Sequence, residues 1–441
     1  MQKEISIENI LSNLNISALN EMQFASIEAN KKNENVILLS ATGSGKTLAF
    51  LIPLLQKINL NVATTQALII VPSRELAQQI EKVFKLMGTG CKITSCYGGH
   101  KREIEENNLK DTPSIIVGTP GRLADHIRRK NFEVNTVTHL VLDEFDKTLE
   151  MGFTEEVSFI IESLTNLQNK ILTSATNADV KPDYLKLDEA ITLNFINDDE
   201  ISTEKLSVKV IKSDAIDKIE TLFKLICSFG GQSSIVFCNH RESVERVSAM
   251  LNDKGVSNEF YHGAMQQFER DSAICKFKNG SNNILITTDL AARGLDIPNI
   301  RYIIHYHLPA TEDIYTHRNG RTARMEASGT IVIILSPEET LPKYISETID
   351  NIELPEDYEL PEKTKWSTLF IAAGKKDKIN KVDIVGFFTQ IGQLKKEDIG
   401  LIDVKDYSSF VAIRKSKVGR VLQLIKDEKI KNKKVRIDIA K

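Results

Sequence analysis

The chain lacks several features that would fix its class at once. No apolar run approaches the ~20 residues of a helical membrane span, so none is expected. The opening "MQKEISIENI" has no apolar core segment and does not read as a secretory signal. Cysteine is scarce: Cys91, Cys96, Cys227, Cys238 and Cys275, an odd set never spaced Cys-x-x-Cys. That speaks against a disulfide framework and a zinc site and suits a reduced, cytoplasmic compartment. A strong net charge is missing too, at −3 over 441 residues. The sum hides a split, however. Residues 363–441 carry 20 Lys+Arg against 9 Asp+Glu, a charge of +11, which leaves −14 for residues 1–362. A small basic module on a larger acidic body is the charge pattern of a nucleic-acid-binding chain.

What is present is ordinary soluble composition, 41% hydrophobic and 27% charged, with length for about two to four domains. Residues 1–200 alternate short apolar runs with amphipathic stretches. "VILLS", "ALIIV", "SIIVG", "HLVLD" and "KILTS" are continuous enough to be parallel strands covered on both faces. Between them "RELAQQIEKVFKLMG" places Leu76, Ile80, Val83 and Met87 on one helical stripe, with Gly88 at the stop. The plan restarts near residue 205 with "SVKVI", "SIVFC", "NEFYH", "NILITT", "RYIIHY" and "TIVIILS". The expected architecture is α/β: two parallel-sheet lobes, 1–200 and 201–350, with the acidic "NDDEISTEK" (197–205) as hinge. A Pro- and Glu-rich linker, 351–365, leads to residues 366–441, whose strand and helix periods run βαββαβ, the plan of RNA-recognition modules.

The chemistry begins at "SATGSGKT" (40–47), a phosphate-binding loop between a buried strand and a helix. Thr42, Gly43, Ser44 and Gly45 form a turn whose backbone N–H groups close around phosphate, where a β-carbon at either glycine would intrude. Lys46 reaches the β- and γ-phosphates of ATP, and the Thr47 hydroxyl is placed to ligate Mg²⁺. About a hundred residues on, a strand ends in Asp143-Glu144. Asp143 is the expected second Mg²⁺ residue and Glu144 the group that polarises the attacking water. "HRNGRTAR" (317–324) adds Arg318, Arg321 and Arg324 at three-residue steps, near one helical face and suited to charge developing on a γ-phosphate.

These residues, taken in order, resemble the DEAD-box RNA helicases across nearly all of residues 15–335. "PSRELAQQ", "YGG", "TPGR", "SAT", "VFCN", "QFER" and "TTDLAARGLD" match further motifs of that family. The resemblance implies an RNA-dependent ATPase with two RecA-like lobes that closes on ATP and on a single RNA strand. By matching position it assigns Gln23 and Asp296 to the nucleotide, Ser174 and Thr176 to coupling hydrolysis with unwinding, and Arg321 and Arg324 to the γ-phosphate. It assigns Arg74, Gly99, Thr119, Arg122, Thr288 and Arg293 to RNA. The tail, "GKKDKINKVDIVGFF" and "SSFVAIRK", resembles the RNA-binding domain of bacterial DEAD-box members of large-subunit ribosome assembly. Ribosomal RNA is thus the implied partner; the oligomeric state is left open, with a monomer the leading expectation. The strand "SSFVAIRK" offers one aromatic, Phe410, so binding is expected through Lys376, Lys378, Arg414 and Lys415 more than through base stacking.

Two departures bear on the mechanism. Phe145 stands where the family has alanine in Asp-Glu-Ala-Asp, and a ring beside the lobe interface would alter coupling there. The segment around Gln23 lacks the family's preceding Thr-Pro, which leaves nucleotide selectivity open. The rival expectation is an ATP-gated RNA clamp with little turnover, with a DNA translocase a weaker third. Intact Glu144, Arg321 and Arg324 favour the enzyme.

Overall fold

The computed structural model describes the chain except residues 1–5, 33–34, 42, 100, 176–181, 188, 197–205, 290–299, 321–328, 346–348 and 441. The expected hinge therefore lies outside the described residues. Residues 1–201 form one compact unit, and most of residues 202–441 form another.

Seven strands build the first sheet: β1 (Val36–Ser40), β2 (Ala67–Ile70), β3 (Ile93–Cys96), β4 (Ile115–Gly118), β5 (His139–Leu142), β6 (Asn169–Ser174) and β7 (Ile191–Phe195). Their order is β3-β4-β2-β5-β6-β1-β7, and every pairing is parallel. Helices cover both faces, which is why β1, β2, β4 and β5 are buried at every position. The helix Arg74–Leu86 shows the local logic. Ser73 caps it by accepting the Leu76 N–H, and it buries Leu76, Ala77, Ile80 and Phe84. Edge strand β7 had no counterpart among the apolar runs, because its residues are only half-buried or exposed.

The second lobe repeats the plan: β8 (Leu206–Lys212), β9 (Ser234–Cys238), β10 (Glu259–Tyr261), β11 (Ile284–Thr288), β12 (Tyr302–His305), β13 (Gly329–Leu335) and β14 (Ile349–Asn351). The order is β10-β11-β9-β12-β13-β8-β14, again parallel throughout. The phosphate loop follows β1, Asp143-Glu144 follow β5, Ser174 ends β6 and, in the second lobe, Thr288 ends β11, all at carboxyl ends of strands, where open parallel sheets present their ligand crevice.

The C-terminal domain holds β15 (Trp366–Ile371), β16 (Ile399–Val404), β17 (Ser409–Arg414) and β20 (Ile437–Ile439) in the antiparallel order β16-β17-β15-β20. A two-stranded ribbon, β18 (Lys429–Ile430) and β19 (Lys433–Lys434), precedes β20. "KKVRIDIA" is therefore split between ribbon and sheet, not one strand. Leu369, Ile371, Val411 and Ile413 share a buried core with Ile384, Phe388 and Val421 of the two helices.

The opposite face of this sheet is not open. Phe370 lies directly across from Phe410, with ring centroids 5.7 Å apart, so the platform has a second aromatic beyond the one expected from "SSFVAIRK". Both rings turn toward the second-lobe helix Gln267–Lys278. Phe268 meets Phe370 edge-on at 4.8 Å, and Cys275 is buried with Phe410 and Ala440. Beside them the Asn279 amide donates to the Thr368 hydroxyl (2.8 Å), which in turn donates to the Ser281 hydroxyl (2.9 Å). Phe410 is left 1% exposed. The linker is laid along the same lobe: Tyr358 packs edge-on to Phe223 at 5.3 Å, and Leu360 lies against Gly255.

A stacking platform in this position is closed by the lobe itself. Cys275→Trp overfills the contact at about 1–3 kcal/mol, an opening shift of about 5- to 150-fold. Limited proteolysis of the 353–365 linker should accelerate on the order of tenfold while the tail fragment stays resistant. An unchanged cleavage rate would show that the contact does not restrain the linker.

Candidate functional site

The phosphate loop joins β1 to the helix Lys46–Lys57, and its shape is braced from outside. Asn20 caps the helix Glu21–Lys31 in a reciprocal capping box with Gln23. The same two side chains then reach the loop: Asn20 Nδ2 donates to the Ser44 carbonyl (2.8 Å) and Gln23 Nε2 to the Gly45 carbonyl (3.2 Å). Gly45 sits at φ 96°, and a β-carbon there would stand 2.6 Å from Gln23 Nε2. Glycine is required both by the turn and by the brace. Gln23, expected near the nucleotide, is thus fixed against the loop. Asn20 was missed as a bracing residue. Its signal was present as a capping Asn with Gln three residues on.

Lys46 is buried and donates to the Ser40 carbonyl (2.7 Å). Burial pushes its ammonium below the ordinary lysine range, against the pull of Asp143, Glu144 and Asp146. Burial likewise raises the Asp143 carboxyl above its ordinary range, opposed by the Thr173 hydroxyl and by Lys46. A polyanion beside Lys46 and a hard cation beside Asp143 would relieve both costs. The cradle of glycine backbone, the Thr47 hydroxyl and the Asp143 carboxylate therefore fit a magnesium nucleotide.

Thr173, at 0% exposure, ties the acidic pair together. Its hydroxyl donates to Asp143 Oδ1 (2.5 Å) and accepts the Glu144 N–H (3.2 Å). Glu144 takes the left-handed conformation, φ 50° and ψ 51°, which costs a non-glycine residue roughly 1–2 kcal/mol. Such strain is kept where a side chain must be aimed. Ser174 follows at the end of β6, buried, and Thr176 lies outside the described residues.

Phe145 does not line the site. Its ring is 3% exposed and belongs to the buried cluster of Leu142, Val157, Ile160 and Leu172 inside the first lobe. The expectation of added volume at a lobe interface is corrected: the ring is core. Asp146 is buried beside the buried Lys147, 3.6 Å away, and Lys147 also pairs with Glu150 at 2.8 Å.

A second feature opens on the same lobe. Gly98, Arg102, Thr119, Gly121, Arg122, Asp125 and Phe153 line a groove of about 510 Å³. Gly99, at φ 98°, leaves the room that the Arg74 guanidinium uses, since a β-carbon there would collide with Nη1. Arg74, Gly99, Thr119 and Arg122 are thus brought to one region of the lobe, by pairs. Phe153 was missed because a single aromatic after a helix reads as core.

In the second lobe Thr288 ends β11, half-buried. Arg318 is 2% exposed and bonds to Asp289 (2.5 and 2.9 Å), the Asn239 side chain (2.8 Å) and the His307 carbonyl (2.7 Å). Its helix ends at Asn319 with Gly320 as the cap. Arg318 is therefore an internal tie between three motifs, not the start of an exposed arginine face. Arg293, Asp296, Arg321 and Arg324, like Thr42 of the first lobe, lie outside the described residues.

The four basic tail candidates do not form one patch. Trp366 pairs with Arg414 and Ile371 with Ser409, so Arg414 and Lys415 stand at the opposite end of the sheet from Lys376 and Lys378. The Arg414 guanidinium lies 4.6 Å over the Trp366 ring. Lys376 and Lys378 are exposed and are joined by the ribbon: Lys431 donates to the Lys378 carbonyl (2.9 Å) and Lys433 pairs with Asp377 (2.8 Å). Lys431 and Lys433 thereby extend that basic end. Among the described residues no helix is long and apolar enough to cross a membrane.

Comparison with known proteins agrees with this geometry. Residues 20–183 match the model of the DEAD/DEAH box helicase family, 217–326 the helicase conserved C-terminal domain, and 368–439 the DbpA RNA binding domain. The ATP-dependent RNA helicase DbpA of Bacillus subtilis (strain 168) is 32% identical, covering 98% of this chain and 96% of its own. DbpA of Escherichia coli (strain K12) is 30% identical, covering 98% of each. Among solved structures, S. cerevisiae Dbp5 bound to RNA and ADP BeF3 superposes with TM-score 0.70 at 27% identity, over 79% of this chain and 94% of that one. Mss116p bound to ssRNA and AMP-PNP gives 0.66 at 27% identity, over 76% and 73%.

Because Phe145 is core, Phe145→Ala should destabilise the first lobe by about 3–5 kcal/mol, read by denaturant unfolding. A variant that keeps full stability and gains RNA-stimulated turnover would place the ring back in the coupling machinery.

Proposed function

The chain belongs to the DEAD-box ATP-dependent RNA helicases, and from that premise we propose that it remodels structured RNA of the large ribosomal subunit, guided by its basic C-terminal domain. The observation that carries the reading is that domain: a +11 module whose aromatic face is closed and whose exposed lysines cluster around residues 376, 378, 431 and 433. The resemblance of this tail to the domain that tethers ribosome-assembly helicases supports the same target.

The hydrolytic roles follow from chemistry and position. Lys46 neutralises the β- and γ-phosphates, and the N–H groups of residues 42–45 hold the chain of phosphates in line. Thr47 and Asp143 would hold Mg²⁺, which would supply neutralisation of the phosphate charge. Glu144 orients the attacking water and accepts its proton as the phosphorus–oxygen bond breaks. Gln23 retains a second amide hydrogen for the adenine edge. Asp296 serves the ribose, and Arg321 and Arg324 stabilise charge on the γ-phosphate. Ser174 and Thr176 couple this centre to RNA held by Arg74, Gly99, Thr119, Arg122, Thr288 and Arg293.

Truncation at residue 362 would bare Phe268 and Cys275, so the test keeps the chain intact. Steady-state ATP hydrolysis is measured with no RNA, poly(U) and fragments of large-subunit ribosomal RNA. One fragment should stimulate at far lower concentration than poly(U). Lys376→Glu with Lys378→Glu should raise that concentration by about tenfold or more and leave poly(U) stimulation nearly unchanged. Equal effects on both RNAs, or no fragment preferred over poly(U), would overturn the ribosomal assignment.

A further inference from the structure

Among the described residues, Cys96, Glu105 and His126 form a fully buried cluster of metal-ligand type, with ligand atoms within 4.8 Å of one another. Its bonding points elsewhere. His126 Nε2 is 2.7 Å from Glu105 Oε2, and the other ring nitrogen meets the Asn131 amide at 2.8 Å. With Asn131 donating to Nδ1, the ring proton sits on Nε2 and donates to the carboxylate. Arg122 Nη1 donates to the same Oε2 at 3.1 Å, and the Tyr97 N–H to Oε1 at 2.7 Å. A cation would have to displace the guanidinium. The cluster is a carboxylate surrounded by donors, not a ligand set awaiting a metal.

We infer that Glu105 is a positioning residue: it sets the orientation of Arg122 in the first-lobe groove and ties it to the Gly98-Gly99 turn. This rests on reading that groove as an RNA site. Glu105 is 1% exposed on the helix Arg102–Lys110, so its charge demands partners, and Arg122 brings the compensating charge. Arg122 and His126 are one turn apart on the helix Pro120–Arg128, and Tyr97 follows β3 directly. One carboxylate therefore fastens its own helix to two segments, the turn after β3 and the helix Pro120–Arg128, whose outer residues Gly98, Thr119 and Arg122 line the groove. A guanidinium bonded through Nη1 to a buried carboxylate has its plane constrained, and a constrained planar donor suits a phosphate of the RNA backbone. With that bond lost, its plane would have to be ordered at each binding event.

Glu105→Gln separates this role from folding. The amide oxygen still accepts the Tyr97 N–H. The amide nitrogen then faces His126, which can accept by exchanging tautomer while Asn131 turns its amide. Arg122 has no lone pair to offer, so its bond to this position is lost. The intact chain is titrated with a labelled single-stranded RNA in the presence of a non-hydrolysable ATP analogue, and with poly(U) in the ATPase assay. Expected for E105Q is an RNA affinity lower by about 5- to 20-fold, with the rate at saturating RNA within about twofold. In an Arg122→Gln background E105Q should add nothing further. The inference falls if E105Q binds RNA as the wild type does while R122Q is weakened. It also falls if E105Q weakens binding equally in the R122Q background, or if its thermal midpoint drops as far as that of a Leu123→Ala core variant. If R122Q itself binds RNA normally, the groove reading fails, and Glu105 loses its role with it.

Discussion

The account depends on a phosphate loop whose shape is set before any ligand arrives. Its turn is shaped by glycines at positive φ and tied by the Ser44 hydroxyl, which accepts from Ser40 (2.6 Å). Asn20 and Gln23 add the outer hold, from a helix more than twenty residues upstream, through the carbonyls of Ser44 and Gly45. With the turn fixed, Lys46 is held by the Ser40 carbonyl within the field of Asp143 and Glu144 at the end of β5. Thr173 then aligns the acidic pair from the neighbouring strand. Preorganised donors of this kind do not have to be ordered during reaction, which is where electrostatic catalysis gains most.

Elsewhere too, buried charge is paired across motifs. Arg318 joins Asp289, Asn239 and the backbone after β12. Glu105 joins Arg122, His126 and the turn after β3. A buried ion pair is a poor source of stability but fixes geometry firmly, because a lone partner left behind is costly. In each lobe such a hub lies beneath the crevice and binds separate loops into one unit. The closed aromatic face of the C-terminal domain extends the principle. Phe370 and Phe410 do structural service against Phe268, while the lysine-bearing loop and ribbon stay exposed.

Much of this was legible in the sequence. Parallel strands such as "ALII" must be covered on both faces, so they read as unbroken apolar runs. Edge strands β7 and β14 pair on one side only and carry half-buried or exposed residues, so no run marks them. The residues proposed for the nucleotide could be picked out because phosphate chemistry restricts them to few types at fixed spacing. Asn20, Thr173 and Glu105 were not, since a capping amide, a strand threonine and a helix glutamate are common, and their partners lie far off in sequence or on another element. The docking of Thr368 on Asn279 is of the same kind. Phe145 was misread for a local reason. The neighbouring letters are catalytic, yet the first residue of a helix packed under a sheet points inward.

With Phe145 in the core, nothing in the described residues of the first lobe argues for a retired motor, and Thr173 ties Asp143 and Glu144 together. The most direct measurement is ATP turnover by the intact chain at saturating RNA, set beside Glu144→Gln with nucleotide binding followed in parallel. The account predicts sustained turnover by the wild type, and a variant that binds ATP normally but hydrolyses it at least about 100-fold more slowly. A wild type no faster than Glu144→Gln, with both binding ATP and RNA, would contradict it and leave an ATP-gated clamp.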